Sequence, residues 1–306
     1  MQTIRVDQMP EFRIGHAQNE EAMTGVTVLY FPEGARVGVD ISGGGPASRE
    51  TPLAGPLTAD NPINAVVLGG GSAFGLAASD GVMQCLEEHG IGFDTGLFKV
   101  PLVLQSDIYD LGVGDGRIRP DARMGREACE NALVGSDDRK GPVGAGIGAT
   151  VGKMMGPAHM ETSGLGLAVR QIGLLKLAAV VVVNAVGDIY DPKTGQKIAG
   201  VRLDDGSLAD TIEVLTAGLL PGPESPMTNT TIGCIVTNAD FDAAQVNKLA
   251  MMSRAAYDRT IKPVGTMMDG DSIYFASTGK IKADINLVGT LAAEVMEEAI
   301  LSIFQQ

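Results

Sequence analysis

The chain has 306 residues and a mass of 31.7 kDa, long enough to bury about three quarters of its unfolded surface, so no disulfide or metal is needed to hold a core. Its 41 glycines, 44% apolar residues and absence of tryptophan indicate tight turns around a core of alanine, valine, leucine and isoleucine. The net charge of −14 repels polyanions, which excludes nucleic acid and anionic membrane as partners.

In chain order, Met1 to Gln8 carries charges where a signal peptide needs an apolar run, and the longest apolar stretch, Leu174 to Val183, is interrupted by Lys176. Nothing directs export or spans a membrane, and a cytoplasmic α/β protein is expected. Val37 to Ile41 and Ala65 to Leu68 read as glycine-bounded strands, the second running through Gly69-Gly70-Gly71 into a helix that reaches about His89. Arg123 to Leu133 looks helical and Lys140 to Gly156 is glycine-rich. Leu177 to Asn184 is a valine-rich buried strand ending near the turn Asp191 to Gly195. Gly218 to Thr228, with three prolines and two glycines, reads as an exposed linker. Beyond it come a β-branched strand, Thr230 to Thr237, a helix from about Asp242 to Tyr257 and a strand near Ser272 to Ala276. A last helix follows, capped by Asp284, with Leu287, Val288, Leu291, Val295, Ala299 and Ile303 on its apolar face.

Several local motifs fail. Gly144 to Met154 looks like a phosphate loop, but Gly148 and Gly152 enclose three residues instead of four, and Met154 stands where Mg²⁺ needs a hydroxyl. Gly70-Gly-Ser72-Ala-Phe74 misses a nucleophile elbow because Phe74 replaces the closing glycine, leaving a strand-to-helix turn. His16, His89 and His159 are isolated and read as structural, and Cys85, Cys129 and Cys234 read as reduced, buried thiols.

One constellation survives. Met227 to Gly233 places the hydroxyls of Thr230 and Thr231 where the linker enters a buried strand. A hydroxyl needs a base. A cut before Thr230 would supply one on the same Cα, an α-amine with a pKa of about 7.7–8.0. Asn-Thr-Thr is also an ordinary start to a strand, and the residues alone leave both readings open.

The blocks Ala65 to Gly81, Ile108 to Asp115, Val181 to Asp188 and Asn229 to Gly233 resemble, in that order, the L-aminopeptidase/D-esterase family of self-processing N-terminal-nucleophile hydrolases. That family includes β-aminopeptidases and the nylon-oligomer hydrolase. The likeness runs from Arg13 to the last helix. It implies a single-domain, four-layer α/β/β/α sandwich, cleaved between Asn229 and Thr230 into a large chain, 1–229, and a small one, 230–306, that remain one domain. It also implies a homo-oligomer, a tetramer of cleaved heterodimers, with no metal or organic cofactor.

Residue by residue, the resemblance makes Thr230 the nucleophile and Asn184 the amide donor to the oxyanion. Asp269 and Asp271, where some members carry Ser-x-Glu and the nylon-oligomer enzyme two acids, are expected to orient the Thr230 ammonium and hydroxyl; a solvated Asp-Gly turn is the alternative. Lys153 matches the nylon-oligomer enzyme's lysine, and a surface lysine is its alternative. The expected function is hydrolysis of short amine-bearing peptides and amides through a Thr acyl-enzyme. The alternatives are an endo-type hydrolase of ω-amino acid oligomers, an acyltransferase of ornithine-acetyltransferase type, and an uncut scaffold.

Overall fold

The computed structural model describes residues 1–218 and 229–305; the predicted linker, beyond Gly218, lies outside them. The principal strands are β1 (Arg13–Asn19), β2 (Thr24–Ile41), β3 (Ile63–Gly69), β4 (Val103–Asp107), β5 (Gly164–Ile172), β6 (Leu175–Asn184), β7 (Thr230–Ala239) and β8 (Ser272–Ile281). The main helices are α1 (Ala78–Glu88), α2 (Ala122–Val134), α3 (Ala243–Ser253), α4 (Ala255–Thr260) and α5 (Ile285–Ser302).

These strands hydrogen-bond in the order β5-β6-β7-β8-β2-β3-β4, with β1 beside β2. The 18-residue β2 belongs to two sheets: its first half pairs with β1 and β3, and its second half with β8. Three apolar clusters separate the layers. One lies between the sheets and takes Leu29, Leu68, Val180, Val182, Ile232 and Cys234. The alternate residues Val181, Val183 and Ile235 face away, under α3 to α5, while Val28, Ala65 and Val67 face α1 and α2. The expected α/β/β/α sandwich is therefore observed, and its central strands are apolar on both faces because both faces are covered.

Parallel pairing of β7 with β8 and of β3 with β4 is made through the helices between them, as crossovers require. The single helix expected from Asp242 to Tyr257 is two, α3 and α4. Ser253 Oγ donates to the Leu249 carbonyl at 2.7 Å, a back-bond that competes with the main-chain ladder at the break. Asp284 caps α5, accepting from the Leu287 N–H at 2.9 Å. Val288, Val295 and Ala299 are buried as expected, whereas Leu287 stays 48% exposed at the edge of the stripe. Strands β1, β4 and β5 were not among the predicted elements. The three cysteines are free and buried, and no described helix is long and apolar enough to cross a membrane.

Candidate active site

Strand β7 begins at Thr230, and its antiparallel register with β6 places Asn184 directly opposite. That register is dictated by burial: a slip of one residue would exchange the side chains filling the two cores. Two predicted residues 46 positions apart are thus brought within about 5.5 Å, Cα to Cα.

Asn184 is fully buried and its amide is fixed from both ends. Nδ2 donates to the Tyr109 carbonyl at 3.0 Å, while Oδ1 accepts from the Thr150 N–H at 3.1 Å and from Lys153 Nζ at 2.7 Å. Lys153 Nζ also donates to the main-chain oxygen of Asn184 at 3.0 Å. The lysine is therefore bound to the end of β6 and is not a surface residue. Burial brings its pKa down to about 7, against the opposing pull of the Asp269 and Asp110 carboxylates.

Gly152 sets the direction of Lys153. It has a left-handed φ of +68°, and a Cβ there would lie 2.0 Å from the main-chain carbon of Gly200. The turn is held by the Gly152 and Lys153 N–H groups, which donate to Gly187 and Val186 oxygens at 3.2 and 3.1 Å. Gly152→Ala is expected to cost about 1–2 kcal/mol for the conformation alone. The clash with Gly200 must add to that and displace Lys153, so a lower Tm is expected in thermal unfolding.

Asp269 and Asp271 are both buried, so the solvated-turn alternative does not apply. Asp269 accepts from the Thr266 N–H at 2.6 Å. Asp271 accepts from the N–H of Thr231 at 2.6 Å through one oxygen and from that of Gly265 at 2.9 Å through the other. Burial and the neighbouring Asp269 charge raise Asp271 to about 7, outweighing these two donors. The pair is expected to orient the ammonium and hydroxyl of Thr230; in the joined chain Asp271 holds the Thr231 N–H beside it, both carboxylates hold the Gly265–Thr266 turn, and Thr230 Oγ1 donates to the Asn229 carbonyl.

That carbonyl is the feature sequence reasoning missed. Asn229 forms a parallel bridge with Asp269: its N–H donates to the Met268 oxygen at 3.3 Å and its oxygen accepts from the Gly270 N–H at 2.9 Å. A Cβ at Gly270 would stand 3.0 Å from both Thr230 Oγ1 and the Gly45 oxygen. The glycine between two aspartates was the available signal, and nothing local distinguished it from a turn.

The failed motifs do not join this site as phosphate loop or triad. Ser72 has the left-handed φ of a strained elbow, +54°, and leads through a short 3₁₀ turn into α1. The histidine Nδ1 atoms bond elsewhere: His16 to Thr27 Oγ1 at 2.9 Å, and His89 and His159 to the Cys85 and Arg202 carbonyls, each at 2.8 Å. Burial pushes His16 down to about 4, so it is neutral near pH 7.

The Thr230 hydroxyl is thus hydrogen-bonded to its own preceding carbonyl, in a neighbourhood that holds Asn184, the buried Lys153 and two acids. The sequence profile of peptidase family S58 matches residues 6–305.

The chain belongs to peptidase family S58.

It is accordingly a hydrolase of peptide or amide bonds. Among its S58 relatives, an uncharacterized aminopeptidase of Mycobacterium leprae is 40% identical over 270 residues, covering 85% of this chain and 72% of that one. A 6-aminohexanoate-oligomer endohydrolase of Kocuria sp. is 33% identical, covering 98% of this chain and 85% of that one. Two solved structures share the fold. A Burkholderia sp. β-aminopeptidase superposes with a TM-score of 0.70 at 20% identity, covering 99% of this chain and 87% of that one. The L-aminopeptidase D-Ala-esterase/amidase of Ochrobactrum anthropi, described as a variant of the Ntn hydrolase fold, gives 0.69 at 17% identity, covering 96% and 83%.

Proposed function

We propose that this S58 chain cuts itself between Asn229 and Thr230 and that the released Thr230 then hydrolyses short amine-bearing amides, peptides and esters. The observation that carries this reading is the Thr230 hydroxyl hydrogen-bonded to the Asn229 carbonyl, while the Gly270 N–H donates to that same oxygen at 2.9 Å.

In the joined chain the Thr230 nitrogen is an amide and cannot act as a base, so maturation needs another group. Both oxygens of Asp271 are committed to main-chain N–H groups. Lys153, whose pKa burial brings down to about 7 and whose amine is bonded to the residue opposite Thr230, takes this role. Thr230 Oγ attacks the Asn229 carbonyl carbon, and its proton passes through the base to the Thr230 nitrogen. The C–N bond then breaks, leaving an ester and a free α-amine, and water hydrolyses the ester to give an Asn229 carboxylate and regenerate the hydroxyl.

In the mature protein the new amine is the base, and the same sequence acts on substrate: the hydroxyl attacks, the leaving amine takes the proton, and water frees the acyl group. The acidic pair and the net charge of −14 favour substrates with an ammonium end. The buried nucleophile favours small substrates over folded proteins. Lys153 and the paired aspartates, together with the Kocuria relative, support the second reading, internal cleavage of ω-amino acid oligomers. Assembly as a tetramer of cut heterodimers belongs to this proposal as well.

Intact mass under denaturing conditions tests the reading. Chains of 229 residues and the remaining 77 of 306 should appear at about 24 and 8 kDa, and a single mass of 31.7 kDa after long incubation would refute it. The rate of self-cleavage should rise with pH through about 7, because the neutral amine of Lys153 is the active form. Lys153→Arg keeps the charge but cannot deprotonate, and should slow cutting by about 10²-fold or more. Cutting by that variant at the wild-type rate and pH profile would remove Lys153 as the base.

A further inference from the structure

Asn229 shows more than where the chain is cut. Its N–H and C=O are held by two main-chain groups of one segment, the Met268 oxygen at 3.3 Å and the Gly270 N–H at 2.9 Å. These are the bonds of one residue in a parallel ladder, reaching the residues before and after Asp269. Donor and acceptor are thus spaced for a nitrogen and a carbonyl separated by a single carbon. The Asn229 side chain is enclosed, with the residue only 1% exposed, and among the described residues neither Oδ1 nor Nδ2 has a hydrogen-bond partner. The space therefore accepts the size of asparagine but does not satisfy its polarity. An amide left unpaired there is unfavourable, whereas an apolar group of similar shape has nothing to lose.

We propose that, once Asn229 has left, the acyl residue of the substrate takes its place as a one-residue strand. Its carbonyl sits on the Gly270 N–H, its amine on the Met268 oxygen, and its side chain in the space vacated by Asn229. The inference rests on the hydrolase reading above and makes it specific: the preferred substrates are amides and esters of α-amino acids with a compact apolar side chain, leucine being close to asparagine in shape. The recognition is main-chain pairing of the kind that adds a strand to an open edge. Relative to an α-amino acid, a β-amino acid lengthens the path from nitrogen to carbonyl by one C–C bond of about 1.5 Å, and a 6-aminohexanoyl group by about four such bonds. Neither can meet both partners at hydrogen-bond distance while its carbonyl stays in front of Thr230 Oγ1.

The test uses the self-cleaved protein and the p-nitroanilides of L-leucine, L-asparagine, β-homoleucine, 6-aminohexanoic acid and 4-methylpentanoic acid, the last being leucine without its amine. The kcat/KM for the leucyl compound should exceed each of the others at least tenfold. If the β-homoleucyl or 6-aminohexanoyl compound matches or exceeds leucyl, the single-carbon spacing is wrong although the hydrolase reading stands. Equal turnover of asparaginyl and leucyl overturns the side-chain half of the proposal, and equal turnover of 4-methylpentanoyl overturns the amine contact. If protein shown to be cut turns over none of the five, both this inference and the hydrolase reading fail.

Discussion

Thr230→Ala is expected to leave the chain whole at 31.7 kDa and without measurable hydrolysis, the largest effect of any single substitution in this molecule. In the proposed cleavage the hydroxyl is the attacking group, and in the folded chain it is hydrogen-bonded to the carbonyl it would attack. The methyl that remains in alanine keeps the residue apolar at the start of β7, where the register with Asn184 and the Thr231 N–H bond to Asp271 are main-chain features that do not depend on the side chain. The fold should therefore survive, and a wild-type far-UV spectrum beside an uncut band would show that chemistry alone has been lost. Thr230→Ser should still cut, because a serine hydroxyl occupies the same position without the methyl. Cutting of Thr230→Ala at Asn229 would disprove the mechanism.

Asn184→Asp should lower kcat by about 10²–10³, the usual loss for one oxyanion donor. The aspartate keeps an acceptor for Lys153 Nζ and the Thr150 N–H, but it also turns an acceptor oxygen toward the Tyr109 carbonyl and adds a buried charge beside Lys153, so this loss is a lower bound. One proton of the Asn184 amide goes to the Tyr109 carbonyl, so the other is the one proposed to meet the developing charge, alongside the Gly270 N–H. Asn184→Ala should be at least as impaired and should also release Lys153, so its pH profile should move where that of a pure donor loss would not. Both variants need to be measured on chains already shown to be cut, since slower maturation would otherwise be counted as slower turnover. Wild-type turnover by cut Asn184→Asp would remove Asn184 from the oxyanion site.

The amino-acid sequence by itself determined which segments are buried on both faces and where a pair of hydroxyls meets the linker. Continuous apolar runs such as Ala178 to Val183 can be buried only if both faces are covered, and a capped helix such as α5 declares its start through Asp284. The linker composition before Asn229 and the pair of hydroxyls after it were equally local signals, because they depend on neighbours in the chain. Strands β1, β4 and β5 escaped notice for the opposite reason: polar residues such as Gln105, Ser106 and Asp107 in β4 are buried against partners that only the folded molecule supplies.

Lys153 and Asn184 could be singled out by resemblance, but their contact arises from the turn at Gly152 packed on Gly200. The shift of Lys153 to about 7 is likewise a consequence of burial, which no stretch of sequence near it records. Least legible of all was the Asn229 bridge to Met268 and Gly270. Main-chain N–H and C=O groups are the same at every residue, so which of them face the Asn229–Thr230 bond is decided by the tertiary register alone, and the proposed substrate preference depends on it.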